Sequence, residues 1–310
     1  MDINNQIFLG VQALLRGGLV AFPTETVYGL GADATSEAAV ARLYAAKGRP
    51  SFNPLISHVA AAEAAFALGR FSDGAKKLAT MFWPGPLTIV VPRASSCPIS
   101  LLASAGLPSL ALRVPAHPLA LQLLKAVARP IVAPSANPSG RISSTTADHV
   151  RAGLGDKVSV VIDGGPCAVG VESTVVSFMG PHATLLRHGG LAREVVGQVL
   201  GYSLDVEPDA SQPHSPGQME SHYAPRAMMR LNAIAPVKGE TYLGFGEFAH
   251  GPYMLSKHGD VVEAASNLFR LLHELDAAGA VTIAVAPIPN LGLGEAINDR
   301  LRRAAAPRPA

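Results

Sequence analysis

Cysteine is scarce in this sequence: 310 residues contain only two, Cys97 and Cys167. Two cysteines are too few for a disulfide framework, and no CxxC pair or cysteine–histidine cluster suggests structural zinc. A chain of this length can bury a full hydrophobic core without such cross-links. We therefore expect a cytoplasmic protein that folds without disulfides or structural metal.

A strong charge of one sign and long apolar runs are also missing. Lys and Arg number 25 against 23 Asp and Glu, a formal net charge of +2. Near-neutrality argues against strong nucleic-acid binding by the whole chain, so we expect weak RNA binding at most. No run of eighteen apolar residues occurs, and an acid and amides, instead of cations, precede the first apolar stretch. We expect neither a membrane span nor a secretory signal peptide.

The better-known nucleotide and hydrolase motifs are absent too. No GxxxxGK[ST] segment is present, which excludes a P-loop, and residues 29–31 lack the third glycine of the GxGxxG fingerprint. Neither GxSxG nor HExxH occurs, which argues against a nucleophile elbow and a zinc protease site. Any nucleotide site must be built differently.

Apolar periodicity predicts alternating helices and strands along the first two thirds of the chain. The predicted helices are 6–16, 36–46 with Ser36 as N-cap, 60–68, 73–81, 117–127 and 145–152. The predicted strands are 19–22, 87–91, 110–114, 131–133, 158–162, 174–178 and 184–186. This mixed order is typical of an α/β domain with an open twisted sheet, and helices too few for a strict βαβ series predict some antiparallel pairs.

A polar segment, 203–226, interrupts this rhythm and is too long for an ordinary connection. Beyond it, strands are predicted at 228–232, 240–244 and 281–286, and helices at 261–278 and 293–305. We therefore predict a large domain at 1–205, a linker at 206–227 and a smaller α/β domain at 228–310.

Hydroxyl side chains cluster where the first predicted strand ends. Residues 22–31, FPTETVYGLG, pass from an apolar strand through a proline to two threonines, a glutamate and a tyrosine. Hydroxyls and free backbone amides at the carboxyl end of a strand favour a ligand crevice. An ordinary strand-to-helix connection is the alternative.

Two cations, Lys47 and Arg49, follow the second predicted helix. They could clamp phosphate groups, or they could simply complement the negative end of the helix dipole. His58, after a short apolar run, is likewise open to a ligand-binding and a structural interpretation.

Another cation, Arg113, lies inside an apolar strand and needs an anionic partner. A bound ligand and an internal Asp or Glu are both open as that partner. Farther along, small polar residues of segment 131–144, among them Ser135, Asn137 and Ser143, follow another apolar strand. They suit ribose, phosphate or adenine contacts, although turns favour the same residue types.

Together these segments resemble the YrdC-like family, and specifically its longer members, the threonylcarbamoyl-AMP synthases. Eight matching stretches lie in order in the first domain: FPTETVYGLGADA (22–34), KGRPSFNPL (47–55), WPGPLT (83–88), LALRVPAHP (110–118), APSANPSG (133–140), DGG (163–165), GVESTVV (170–176) and LLRHGG (185–190). A ninth, SPGQMESHYAP (215–225), is similar to the linker of the two-domain form.

The resemblance implies an enzyme that condenses L-threonine, bicarbonate and ATP to L-threonylcarbamoyladenylate and pyrophosphate. A separate transferase complex would then pass the threonylcarbamoyl group to tRNA. The implied architecture is a YrdC-like catalytic domain with a concave cavity in its open twisted mixed sheet, a linker that covers the site, and a Rossmann-like C-terminal domain. Mg²⁺ is expected with ATP, with no dedicated side-chain ligands.

The resemblance also assigns site residues. The implied threonine-binding residues are Thr26, His58, Arg113 and Ser173. The implied ATP-binding residues are Arg49, Asn53, Ser109, Ala133, Ser135, Asn137, Ser143, Arg187 and Tyr223. Lys47 and Arg49 are assigned to catalysis because they would hold the phosphates.

Two other functions stay open. A non-catalytic RNA-binding module would use the same basic concavity, although the near-neutral charge argues against it. An enzyme that forms a carbamoyl adenylate from carbamoyl phosphate would share the domain, but the acylphosphatase and zinc-finger segments that accompany such domains in hydrogenase-maturation proteins are not present.

Overall fold

The computed structural model describes residues 2–206 and 222–307. Of the predicted linker, 206–227, residues 207–221 therefore lie outside the described residues. Two sheets organise the described chain, one of ten strands and one of four. Within the described ranges, no helix combines the length and apolar character needed to cross a lipid bilayer.

The large sheet contains residues between 20 and 206. Its strands are β1 (Val20–Phe22), β2 (Gly29–Asp33), β3 (Ile56–His58), β4 (Leu87–Pro92), β5 (Ser109–Arg113), β6 (Ile131–Val132), β7 (Val160–Val161), β8 (Thr174–Ser177), β9 (Thr184–Arg187) and β10 (Asp205–Val206). The accompanying helices are α1 (Ile3–Leu15), α2 (Glu37–Lys47), α3 (Ala62–Leu68), α4 (Asp73–Phe82), α5 (Pro118–Val127), α6 (Ala147–Leu154) and α7 (Arg193–Leu200).

The strand order of this sheet is β10-β9-β8-β4-β5-β3-β6-β2-β1-β7. Parallel pairs such as β3–β5 and β4–β8 alternate with antiparallel pairs such as β4–β5 and β8–β9. The prediction of a mixed sheet is thus confirmed. Helices α1 and α5 pack against each other, with Leu14, Leu123 and Leu124 buried in one apolar cluster.

The small sheet is parallel throughout. Its strands are β11 (Met228–Arg230), β12 (Thr241–Phe245), β13 (Met254–Ser256) and β14 (Thr282–Val285), in the order β11-β14-β12-β13. Helices α8 (Val261–Ala277) and α9 (Leu293–Ala305) accompany it, and the apolar face of α8 includes Leu268, Phe269 and Leu272.

Some local predictions are confirmed and others are wrong. Ser36 is the N-cap of α2, and its hydroxyl accepts a bond from the Ala39 amide at 3.3 Å. The segment 22–31, for which a ligand crevice and a strand-to-helix connection were both open, contains the start of strand β2, which pairs antiparallel with β1. Gly29 and Gly31 are typical of turns in sequence, but both lie in this strand. Strand β13 was not predicted at all. The beginning of the polar segment 203–226, just before the undescribed residues, forms β10, which pairs with β9.

Candidate functional site

A cavity of about 460 Å³, partly open to solvent, lies at one end of the central strands of the large sheet. Strands β3 and β5 run parallel, so His58 and Arg113 lie side by side at their carboxyl ends. At the same edge β8 begins after Ser173 and β9 ends at Arg187. The residues that line the cavity are Thr26, Val27, Arg49, Ile56, His58, Arg113, Ala133, Pro134, Ser135, Glu172, Ser173, Arg187, His222 and Tyr223.

The end of α2 brings a cation to this cavity. Gly48 closes the helix in the left-handed conformation, with φ of 60°, a turn that glycine adopts without strain. The Arg49 amide then donates to the Tyr44 carbonyl at 3.0 Å, and the chain turns so that the Arg49 side chain is buried. The guanidinium therefore lies in the wall of the cavity instead of in solvent.

Arg49 has only neutral acceptors among the described residues. Its Nε donates to the Asn53 carbonyl at 3.3 Å and its Nη2 to the Pro54 carbonyl at 3.1 Å. Burial lowers the pKa of Arg49 to about 10, a shift that the nearby Arg187 adds to, and the side chain stays protonated at neutral pH. A buried cation that contacts carbonyls and no carboxylate is suited to bind an anionic ligand.

Lys47 does not line the cavity. Its ammonium donates to the Ser135 carbonyl at 2.6 Å and to the Asn137 carbonyl, and it is almost fully buried. Burial, reinforced by Arg49, holds the pKa of Lys47 well below its usual 10.5. The sequence offered a phosphate clamp or a helix-dipole contact for Lys47, whereas the structure shows it holding the loop that follows β6.

The four residues assigned to threonine all line the cavity. The hydroxyl of Thr26 lies 2.8 Å from that of Thr24, and the hydroxyl of Ser173 lies 2.7 Å from that of Thr88. These pairs orient the hydroxyls, because each is both donor and acceptor.

Arg113 resolves an alternative that the sequence left open. Its Nη2 donates to Glu25 Oε1 at 2.7 Å and its Nε to the Gly85 carbonyl at 3.2 Å, so an internal carboxylate is the partner. Glu25 also accepts a bond from the Ala116 amide at 3.0 Å. The Nη1 of Arg113 has no hydrogen-bond acceptor within the described ranges, and it is the group available to a ligand.

His58 is buried and neutral. Burial, reinforced by the positive charge of Arg113, lowers the pKa of His58 to about 3. Its Nδ1 has no hydrogen-bond partner among the described residues, and its ring meets the Phe22 ring edge-on with centroids 6.2 Å apart. An unpartnered ring nitrogen on a cavity wall is suited to a hydrogen bond with a ligand.

The residues assigned to ATP occupy three places. Those that line the cavity are Arg49, Ala133, Ser135, Arg187 and Tyr223. Those in the layer behind its wall are Asn53, Asn137 and Ser143, all buried. Both side-chain polar atoms of Asn53 lack a partner in the described part of the chain.

Ser109 lies apart from the cavity. It starts β5, four residues before Arg113, and strand alternation places the two on the same face of the sheet. It lines a separate hollow with Ser177 and Thr184, among others. The structure therefore does not bring Ser109 into the cavity. A ligand that contacted both Ser109 and the cavity would extend along this face of the sheet.

The Arg187 side chain packs against the backbone of the segment that precedes β8. Arg187 donates from Nε and Nη2 to the Ser173 carbonyl at 3.1 and 2.8 Å. Nearby, Gly189 lies so close to residues 172–174 that a Cβ would come within 2.3 Å of the Ser173 carbonyl carbon. Only glycine permits this approach, which explains the glycine pair that follows Arg187.

Sequence reasoning missed Glu172, although it lies in a quoted stretch. Its Oε1 accepts a bond from the Ser143 hydroxyl at 2.5 Å, and its Oε2 accepts one from Arg300 Nε at 3.1 Å. Burial raises the pKa of Glu172, but Arg300, Arg187 and the Ser143 hydroxyl together outweigh burial and hold it below 4.5. A glutamate beside a buried apolar strand was the available signal.

Tyr223 closes the cavity from the far end of the linker. Its backbone is left-handed, with φ of 63°, and the Ala224 amide donates to the Gly140 carbonyl at 2.9 Å. The Tyr223 ring stacks on Phe269 of α8 with centroids 5.5 Å apart. The linker residue on the cavity wall is therefore held by both parts of the protein.

Two family models match the chain in succession. The Sua5/YciO/YrdC model, described as "Telomere recombination", matches residues 12–189. The model of the "Threonylcarbamoyl-AMP synthase, C-terminal domain" matches residues 191–306. Together they span both sheets.

Curated relatives match this chain over nearly the whole length of both sequences. The chain is 40% identical to the threonylcarbamoyl-AMP synthase of Pyrococcus abyssi, over 93% of this chain and 91% of that protein. It is 38% identical to the Bacillus subtilis synthase, over 99% and 95%. The crystal structure of P. abyssi Sua5 complexed with L-threonine superposes with a TM-score of 0.89 at 37% identity, covering 98% of this chain and 95% of that one. The chain therefore belongs to the threonylcarbamoyl-AMP synthase family of nucleotidyltransferases.

Proposed function

We propose that this protein forms L-threonylcarbamoyladenylate and pyrophosphate from L-threonine, bicarbonate and ATP. The product would pass to a transferase complex that modifies tRNA. The observation that carries the proposal is the set of three buried arginines, Arg49, Arg113 and Arg187, on the wall of one hydroxyl-lined cavity. Such a wall suits a substrate pair that brings a carboxylate and several phosphates.

The threonine end of the cavity is assigned to the side of Arg113. The free Nη1 would donate to the amino-acid carboxylate, while Glu25 keeps the guanidinium in place. Thr26, His58 and Ser173 supply polar atoms around it for the amine and the side-chain hydroxyl.

The ATP end is assigned to the side of Arg49 and Arg187. Both guanidinium groups are buried on the wall of the same cavity, and the positive charge of Arg187 contributes to the lowered pKa of Arg49. Two cations held close together are stabilised when phosphate oxygens bind between them. Ser135 and Tyr223 line the same region.

The reaction needs little covalent help from the protein. The threonine amine and bicarbonate give a carbamate and release water, and a carbamate oxygen then attacks the α-phosphorus of ATP while the bond to pyrophosphate breaks. Correct positioning can lower such a barrier by about 7–11 kcal/mol at best. Cations near the phosphates stabilise the charge that develops during transfer. We assign no general base, and the low pKa of His58 makes it a weak one.

Magnesium is proposed to enter with ATP, where it would neutralise phosphate charge. The donor set fits only that arrangement. The two carboxylates near the arginines already accept bonds on both oxygens, Glu172 from Ser143 and Arg300, and Glu25 from Arg113 and Ala116. Phosphate oxygens and water would therefore supply the ligands.

Pyrophosphate release from ATP and bicarbonate, measured with each amino acid in turn, tests the proposal. We expect release that depends on threonine and on bicarbonate. Pyrophosphate release with carbamoyl phosphate in place of threonine and bicarbonate would favour the carbamoyl-adenylate alternative. Salt-sensitive tRNA retention on filters without any pyrophosphate release would favour the RNA-binding alternative.

A further inference from the structure

Arg300 is a buried cation of the C-terminal part of the chain, and it lies behind the cavity wall. It lies on α9 and is 1% exposed. Helical spacing explains this burial, because Arg300 is three residues after Ile297 and four before Ala304, both buried. A guanidinium on the apolar face of a helix needs partners elsewhere.

Those partners belong to the other part of the protein. Nε donates to Glu172 Oε2 at 3.1 Å, and Nη1 donates to the His188 carbonyl at 2.6 Å. A third bond, from Nη1 to Asp299 Oδ2 at 3.0 Å, fixes the guanidinium on its own helix. Arg300 therefore ties α9 to the segments before β8 and after β9.

The same guanidinium also contacts the linker. Its Cζ lies 5.4 Å from the centroid of the Tyr223 ring, over the ring face, which is the geometry of a cation–π interaction. One turn farther on, the Arg303 carbonyl accepts a bond from the His222 amide at 3.1 Å. Helix α9 thus holds both linker residues that line the cavity.

Glu172 is the point where these contacts converge on the cavity. Ser143 fixes one of its carboxylate oxygens from the loop after β6, and Arg300 fixes the other from α9. Neither Ser143 nor Arg300 lines the cavity, whereas Glu172 does. Helix α9 therefore reaches the cavity wall through this carboxylate as well as through His222 and Tyr223.

We propose that Arg300 is a positioning residue for the reaction: it fixes the Glu172 carboxylate on the cavity wall and so makes the geometry of the site depend on the C-terminal part of the chain. This inference rests on the proposed function, because it concerns the same cavity. Arg300 acts through Glu172 and is not assigned a contact with substrate.

The variants Arg300→Met, Arg300→Lys, Glu172→Gln and the double variant Arg300→Met/Glu172→Gln form the test. Arg302→Met is the matched control, since Arg302 is an exposed neighbour on α9. The readouts are kcat/KM for threonine-dependent pyrophosphate release from pH 4 to 9 and the thermal unfolding of each variant. Release by the unmodified enzyme tests the proposed function separately, whereas the comparison among variants tests this inference.

We expect Arg300→Met to lower kcat/KM by about 10- to 100-fold, because it removes a charge-assisted bond to a buried carboxylate. In the Glu172→Gln background, Arg300→Met should lower kcat/KM by a factor about 5-fold smaller than in the unmodified enzyme, since residue 172 is already neutral there. Arg302→Met should match the unmodified enzyme. If Arg300→Met does not lower kcat/KM, or lowers it by the same factor with and without Glu172→Gln, the inference is wrong.

The pH profile separates positioning from simple structural support. The charged and titratable groups that face Glu172 are Arg300 on α9, Arg187 on β9, Lys47 on α2 and Tyr223 in the linker. Without Arg300, burial raises the pKa of Glu172 against fewer opposing charges, so the acid limb of kcat/KM should move to higher pH. Arg300→Lys, which keeps the charge, should restore the acid limb but not the full kcat/KM.

Loss of folding in Arg300→Met does not remove the test. The neutral double variant avoids an unpaired buried carboxylate, and such neutral replacements of buried pairs are usually tolerated. Arg300→Lys keeps the charge at this position. If Arg300→Lys has an unchanged kcat/KM, the fork-shaped contact is not needed and the inference is wrong.

Discussion

Replacing Arg49 by Met should separate ligand binding from stability. The side chain is buried, and replacing it by the shorter, uncharged Met removes two bonds to the carbonyls of Asn53 and Pro54. Charge-assisted bonds contribute about 1.5–3 kcal/mol each, whereas burying a cation costs several kcal/mol. These contributions oppose each other, so the free energy of unfolding without ligand should change by about 1 kcal/mol or less.

The effect on ATP should be much larger. Loss of one charge-assisted contact to phosphate costs about 1.5–3 kcal/mol, which weakens binding by about 10- to 150-fold. At a ligand concentration 100 times Kd, binding stabilises a protein by about 2.7 kcal/mol, and at a concentration equal to Kd by only about 0.4 kcal/mol. A 100-fold loss therefore removes about 2.3 kcal/mol of ATP-dependent stabilisation.

Chemical denaturation with and without ATP measures both quantities on one sample. Arg42→Met is the matched control, because Arg42 is an exposed arginine of α2, the helix that precedes Arg49, and its side chain donates to the Gly17 carbonyl. Unchanged ATP stabilisation in a folded Arg49→Met would refute the phosphate assignment. A large loss of stability without ligand would instead show that Arg49 is chiefly structural.

Three further predictions follow from the same cavity. Serine should be a poor but measurable substrate in the pyrophosphate assay, because one methyl group is worth about 1–3 kcal/mol, and valine should be poorer; equal rates with valine and threonine would contradict the hydroxyl contacts. Arg113→Lys should raise the KM for threonine by about 10-fold or more with little change in that for ATP, since lysine cannot bind Glu25 and a carboxylate as a fork; equal changes in both would contradict the assignment. The pKa of His58 is about 3 in the folded protein and about 6.5 when unfolded, so His58 withdraws up to about 1.4 kcal/mol of stability per pH unit as pH falls from 6.5 towards 3. Denaturant unfolding of His58→Gln should show a shallower loss over that range, and an unchanged slope would mean that His58 does not stay neutral when folded.

Much of the fold could be predicted from periodicity and capping. Helix α2 is an example, because Ser36 and Gly48 mark its ends and its buried face includes Val40 and Leu43. The mixed sheet was predictable because the helices are too few for a parallel series. Strand β2 was not, because glycines in sequence indicate turns, and only pairing with β1 and β6 makes them a strand.

The site divides in the same way. Local segments indicated cations and hydroxyls, since an arginine such as Arg113 is unusual in an apolar strand and small polar residues such as Ser135 follow another apolar strand. Their partners were beyond sequence reasoning. Glu25 lies 88 positions from Arg113, and Arg300 lies 128 positions from Glu172. Nothing in local spacing links such residues, because tertiary packing alone brings them together.

The distribution of charge explains why the two parts of the chain are held together at this cavity. Among the described residues, three arginines line it together with a single carboxylate, Glu172, which is shared with Arg300 from α9. Without ligand this surplus of buried positive charge disfavours the folded state, since like charges are close and poorly solvated. Substrates that bring a carboxylate and phosphates neutralise this surplus charge, so their binding energy is used to position them for the reaction. The buried bond from Arg300 to Glu172 then keeps one negative charge fixed among the cations, and its position is set by the packing of α9.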